Sequence, residues 1–224
     1  LAGKHRFFES EKEKMKKLVV YIHGQGGNAA EAEHYKTLFT DSDVIGLDYR
    51  AQKPWEAEGK FWPFFAAKRK EYEEIIVIAN SIGAFLAMSA RIGGMVDRAL
   101  FISPIVNMER LIRDRMRQAE ITEAELARRK EIPFDDGEPL SWAYLGYVRA
   151  HPAQWTVPTR ILYGGRDCLT SLETMTAFAE RCGAQLTVME EGEHWFHTEE
   201  QMRFLDAWVR KSMGMEGGPE AGRM

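Results

Sequence analysis

The apolar run Ile75-Ile76-Val77-Ile78-Ala79 stops at Asn80-Ser81, and Ile82-Gly83-Ala84 then opens a stretch with helical spacing. A short β-branched run of this kind reads as a buried strand. With only a serine between strand and helix, the chain must turn sharply. The turn closes only if the residues two before and two after the serine, Ala79 and Gly83, let the backbones approach. This is the sequence form of a nucleophile elbow, which leaves the serine hydroxyl exposed at the edge of a sheet. Read alone, Ser81 also suits a helix N-cap, where serine is favoured for its own reasons.

Comparable apolar runs occur at 18–22, 44–47, 99–102, 161–163 and 186–189, and they predict further strands. Segments with helical spacing at 30–39, 65–74, 82–91, 171–181 and 199–211 lie between and after them. Such alternation predicts an α/β fold, a mostly parallel central sheet with helices on both faces. Phe7 and Phe8 suggest an additional edge strand, and the glycine-rich stretch 214–224 reads as a loose tail. The chain of 224 residues, 45% hydrophobic, suffices for one well-buried core, so a single domain over 1–224 is expected.

The alternation breaks once, between Ser103 and Trp155, where two or three helices replace a single crossover. Thr122 followed by Glu125 has the form of a capping box, and Ser141 is placed to cap a helix carrying Trp142, Tyr144, Leu145 and Tyr147. The segment 104–155 therefore reads as a small helical lid over the sheet edge. Its basic residues Arg110, Arg113, Arg115, Arg117, Arg128, Arg129 and Lys130 read first as a solvated helix face and second as an attraction for an anionic substrate.

A net charge of −4 offers no basic stripe for a phosphate backbone, so nucleic acid is not an expected partner. No stretch is long and apolar enough for a membrane span. The two cysteines, Cys168 and Cys182, are too few for a disulfide framework and lack metal-ligand spacing. Free thiols, with a charged opening segment in place of an apolar signal core, make the cytoplasm the default expectation. Oligomeric state is not readable from the sequence.

A serine hydroxyl becomes a useful nucleophile only when a base removes its proton, and that base must be held by an acid. Asp167 follows the 161–163 strand through Gly164-Gly165-Arg166, which sets a carboxylate on a tight turn. His194 follows the 186–189 strand through Glu190-Glu191-Gly192-Glu193, just before the final helix. Their order after Ser81 is serine, acid, histidine. Asp97 and the glutamates 190, 191 and 193 are rival acids, and His197 is a rival base. His194, His197 and Glu193 form at most a fragment of a metal site, so neither metal nor organic cofactor is expected. The turn Tyr21-Ile22-His23-Gly24-Gln25-Gly26-Gly27 is suited to aim backbone N–H groups at a developing oxyanion, with the amides of Gln25 and Ile82 as the pair. His23 is expected to pack beneath that turn.

With these motifs the chain resembles the α/β-hydrolase superfamily, in particular its small esterase-like and serine-aminopeptidase-like bacterial members. The resemblance spans about residues 16–211 and rests on His23-Gly24, Ala79-Asn80-Ser81-Ile82-Gly83, Gly164-Gly165-Arg166-Asp167 and Gly192-Glu193-His194. It implies the α/β-hydrolase fold and hydrolysis of a small acyl substrate, an ester first and an amide or thioester otherwise; a non-catalytic binding module of the same fold is the remaining option. Two departures stand out. Ala79 replaces the usual glycine, and Tyr49-Arg50-Ala51-Gln52-Lys53-Pro54-Trp55 replaces a glycine-rich turn after Asp48. Aromatic residues are abundant near the expected sheet edge, and Trp55, Trp62, Trp142 and Trp195 are candidates for lining an apolar acyl pocket.

Overall fold

The computed structural model of the chain describes residues 15–134 and 138–215. In chain order the elements are β1 (Lys17–Ile22), α1 (Glu33–Lys36), β2 (Asp43–Gly46), α2 (Pro54–Lys68), β3 (Glu74–Asn80), α3 (Ile82–Ser89), β4 (Arg98–Ile102), α4 (Met108–Gln118), α5 (Glu123–Arg129), β5 (Glu131–Ile132), β6 (Leu140–Ser141), α6 (Trp142–Ala150), β7 (Thr159–Gly164), α7 (Leu172–Cys182), β8 (Gln185–Met189) and α8 (Glu199–Met213). Six strands form one parallel sheet in the order β2-β1-β3-β4-β7-β8. Each of the six apolar runs matches a strand of that sheet with its ends shifted by at most two residues.

Alternation along the strands separates two cores. Leu18, Val20, Ile22, Ile75, Val77 and Ala79 face Phe61 and Phe65 of α2, the apolar side of α3, and Met175 and Phe178 of α7. Val19, Tyr21, Ile76 and Ile78 face Tyr35 of α1 and Leu205, Trp208 and Val209 of α8. Burying one such large side chain contributes about 1.5–3 kcal/mol, so both faces of the sheet are driven to acquire helices.

The helices depart from the expectation in two places. A helix was expected over 65–74, whereas α2 spans Pro54–Lys68. Pro54 occupies the first turn, where its missing N–H costs no helical bond. The Glu56 carboxylate accepts the N–H groups of Gln52 and Lys53 at 3.0 and 3.3 Å, which caps the helix start. Phe61 and Phe65, four residues apart, then bury one face. The expected 30–39 helix is a 3-10 turn over Ala29–Ala32 that runs into the short α1. Ser171 and Thr198 cap α7 and α8, and Gly183 and Gly214 close them in left-handed conformation. Met215 packs on the core under α8. The proposed edge strand at Phe7 and Phe8 and the tail 216–224 lie outside the described residues.

Between β4 and β7 the chain forms α4, α5, the antiparallel β5–β6 pair and α6. The small hairpin was not anticipated. Thr122 accepts the Glu125 N–H at 3.2 Å, but the Glu125 carboxylate turns to Arg129, so the expected capping box is half formed. Ser141 caps α6 through the Tyr144 N–H at 3.3 Å. Among the described residues, no helix is long and apolar enough to cross a membrane.

Candidate active site

Ser81 stands between β3 and α3 with φ 51° and ψ −121°, a conformation L-residues rarely adopt. Holding it costs on the order of 1–3 kcal/mol. Three backbone bonds hold it: Ser81 N–H to Ile102 O at 3.0 Å, and Ile105 and Ala84 N–H to Ser81 O at 3.1 and 3.2 Å. Gly83 is obligatory here, because a Cβ would lie 2.4 Å from His23 O and 2.6 Å from Ile22 O. The Ser81 hydroxyl makes no N-cap bond. It lies 2.8 Å from His194 Nε2 instead.

His194 and Asp167 meet because their loops share backbone contacts. Arg166 N–H donates to Gly192 O at 2.9 Å and Gly165 N–H to Met189 O at 2.8 Å. His194 Nδ1 lies 2.7 Å from Asp167 Oδ2. The other oxygen of Asp167 accepts the N–H groups of Leu169 and Thr170 at 2.7 and 3.2 Å. The Asp167 side chain is fully buried, while that of His194 is one-fifth exposed. The rivals are engaged elsewhere. Asp97 binds Arg69 and the Ile75 N–H, and His197 pairs with Glu193 and stacks on Trp195. Glu191 pairs with Arg166 in solvent, and Glu190 is likewise exposed.

The turn after β1 borders the same hydroxyl. A Cβ on Gly24 would stand 3.3 Å from Ser81 Cβ. His23 stacks on Tyr49 at 4.2 Å between ring centroids, and its Nδ1 lies 2.8 Å from Gly24 O. It packs beneath the turn, as expected. The Tyr49 hydroxyl donates to His23 O at 2.6 Å, and burial pushes its phenol above the ordinary value, so the donor proton is retained. The amide N–H groups of Gln25 and Ile82 have no acceptor among the described residues, and both residues line the cavity that contains Ser81.

That cavity has a volume of about 380 Å³, within the range of small-molecule sites. Its walls are Ile105, Met108, Leu111 and Ile112 on one side and the Gly24–Gly27 turn on the other. None of the four candidate tryptophans lines it. Trp55 packs edge-on against Tyr144 and Tyr147, and Trp142 packs against the core. Trp62 and Trp195 are 54% and 67% exposed. The four tryptophans stay outside because Met108, Leu111 and Ile112 of α4, with Tyr49 and Tyr144, already fill the wall.

Sequence reasoning missed Tyr49, Lys53 and Glu138 as parts of this wall, which also includes Tyr144 and Arg115. The unusual segment after Asp48 carried the signal for Tyr49 and Lys53, since it supplies one rim of the cavity. Of the basic residues on the segment between β4 and β7, Arg115 alone lines the cavity; Arg117 and Arg129 pair with acids on their own helices in solvent. Among the described residues, no group of three or more His, Cys, Asp or Glu side chains is placed to hold a metal ion.

The fold is that of the α/β-hydrolase superfamily. Est1E from Butyrivibrio proteoclasticus superposes with a TM-score of 0.71 at 15% identity, over 92% of this chain and 90% of that one. Mouse α/β-hydrolase domain-containing protein 10 gives 0.65 at 16% identity, over 89% and 90%. The esterase EaEST from Exiguobacterium antarcticum gives 0.56 at 15% identity, over 89% and 93%. No protein-family model and no curated protein sequence matches the chain.

Proposed function

We propose that the chain is a serine hydrolase that cleaves a carboxylic ester or related acyl compound through an acyl-enzyme. One observation carries this reading: Ser81 Oγ, the His194 ring and Asp167 form an unbroken path at 2.8 and 2.7 Å, and its reactive end opens on a cavity. His194 Nε2 takes the hydroxyl proton as Ser81 Oγ attacks the substrate carbonyl carbon. Asp167 holds Nδ1–H and stabilises the imidazolium. The N–H groups of Gln25 and Ile82 receive the oxyanion, each worth roughly 2.7–4 kcal/mol at the transition state. His194 then returns the proton to the leaving group. Water, deprotonated by the same nitrogen, attacks the acyl-Ser81 carbonyl, and collapse restores the free serine. No step requires a cofactor.

The structural neighbours named above, esterases and a hydrolase-domain protein, agree with this assignment. In this reading the chain is one domain, residues 104–155 are its lid, and the free thiols of Cys168 and Cys182 suit the cytoplasm. A fluorophosphonate probe is expected to label Ser81 covalently. Ser81→Ala is expected to abolish both labelling and turnover of short p-nitrophenyl esters, and full activity in that variant would remove the mechanism. Rates on matched ester, thioester and aminoacyl-amide substrates then identify the leaving group.

A further inference from the structure

Lys53, in the loop before α2, and Glu138, just before β6, both line the Ser81 cavity, and their charged groups stand 3.6 Å apart. Their side chains are only 16% and 21% exposed. A charge withdrawn this far from water ordinarily gathers hydrogen bonds as well as a counter-ion. The Lys53 ammonium has no hydrogen-bond acceptor within reach among the described residues; it sits over the Tyr144 ring, 5.1 Å from the centroid. Tyr144 lines the same wall, and its buried hydroxyl has no hydrogen-bond partner among the described residues. Burial pushes that phenol above its ordinary value, so it remains a donor. The cavity thus combines aliphatic walls with one polar corner, where the Lys53 ammonium and the Tyr144 hydroxyl keep donors to spare among the described residues.

We infer that the group filling this cavity carries a neutral hydroxyl, alcoholic or phenolic, away from the scissile carbonyl, held between Lys53 and Glu138. This rests on the hydrolase reading above and assigns its substrate class. A plain alkyl chain would seal the ion pair from water without replacing the lost solvation. Between these two groups a carboxylate would meet Glu138 as well as Lys53, with like-charge repulsion offsetting that attraction; Arg115 lines the same cavity, and the carboxylic-acid ester below reads its pull. A hydroxyl has an acceptor for the ammonium and a donor for the carboxylate. It joins both partners without parting them, because the pair already stands beyond hydrogen-bonding distance.

The test uses the methyl esters of heptanoic acid, its terminal alcohol and its terminal carboxylic acid, with shorter and longer homologues of each. The methyl leaving group is too small to fill the cavity in place of the acyl chain. The hydroxylated ester is expected to exceed the alkyl ester of equal length by about 10- to 100-fold in kcat/KM at its best length. Lys53→Met and Glu138→Gln are each expected to bring that ratio close to one, a readout independent of how much folded enzyme each preparation contains. Equal rates for alkyl and hydroxyl esters at every length, or an unchanged ratio in both variants, overturns the inference. So does a preference for the carboxylate, which would assign an anionic substrate.

Titration calorimetry of the same esters against Ser81→Ala separates the two readings. Selective binding of the hydroxyl ester by that variant, with no turnover by the wild type, upholds the polar corner and removes the hydrolase. Turnover of all esters without discrimination in rate or binding does the reverse.

Discussion

Gly164 lies directly against the carbonyl of Glu193: a Cβ there would stand 2.4 Å from that oxygen and 2.7 Å from Gly192 O. The end of β7 and the histidine loop after β8 therefore pack backbone to backbone, and this contact brings Asp167 to His194. Gly164→Ala must push the two loops apart. A displacement near 1 Å at reacting groups costs on the order of 100-fold in rate, and overpacking costs about 1–3 kcal/mol of stability. The expected result is a large fall in kcat on a short ester with a modest fall in the urea midpoint. A variant with wild-type kcat would show that the contact does not set the geometry.

Asp167→Asn tests the acid without removing its structural bonds. The amide oxygen can take over the N–H groups of Leu169 and Thr170, now held by Oδ1 at 2.7 and 3.2 Å. The amide NH₂ then faces His194 Nδ1 and forces that nitrogen to accept. The ring proton moves to Nε2, which can no longer take the proton of Ser81. We expect kcat to drop by about 10⁴-fold with little change in melting temperature. Activity within tenfold of wild type removes Asp167 from its role.

The strands were legible because β-branched runs such as Ile75–Ile78 need burial on both faces, and in this chain only a parallel sheet provides that. The positions of Ser81, Asp167 and His194 were legible for a related reason: each follows a strand through a turn whose small residues admit close backbone approach. Gly83 and Gly164 are now seen to be under that constraint. The cavity wall was not legible. Lys53 and Glu138 meet only because the segment from α4 to α6 folds back over the sheet edge, a tertiary outcome that no local periodicity encodes. Helix α2 starts well before the expected 65–74 because Pro54 opens it and Pro63 is accommodated within it. The tryptophans misled in the opposite direction, since a surplus of rings near an edge says nothing about which side faces inward.

Tyr49 acts on the proposed oxyanion turn at one remove. Its hydroxyl donates to His23 O at 2.6 Å, and its ring stacks on His23 and meets Phe61 edge-on at 5.0 Å. Tyr49→Phe keeps both ring contacts and deletes the one bond, so stability should fall by only about 1 kcal/mol. The carbonyl it releases belongs to the residue beside Gly24, whose turn positions the Gln25 amide. Loosening that amide weakens an interaction made mainly in the transition state, so kcat should fall several-fold with KM held. A change confined to KM would make Tyr49 a substrate contact in place of a positioning residue.

Arg149 of α6 bonds Glu109 of α4 through Nε at 2.8 Å and grips both oxygens of Glu123 of α5 at 2.9 and 2.7 Å. One guanidinium thus ties together the three helices of the proposed lid. Hydrogen bonds from Arg149, joined by its charge and that of Arg113 and partly opposed by desolvation, hold the Glu123 carboxyl below its usual value. A carboxyl depressed in the folded state contributes stability that is fully present above its unfolded pKa and lost as pH falls through the folded value. Protection of the α4–α6 amides, taken relative to the exchange rate of an unstructured chain at each pH, should therefore be full at neutral pH, begin to fall as pH drops through the ordinary carboxylate range and be lost in more acidic solution. Arg149→Met should speed exchange in these helices at neutral pH and flatten its acid dependence. Global stability should barely change, because the cluster is solvent-exposed and such pairs are well screened. Wild-type protection of α4–α6 in Arg149→Met at neutral pH would mean that packing beneath the helices, through Leu111, Leu126 and Leu145, holds the lid without the clamp.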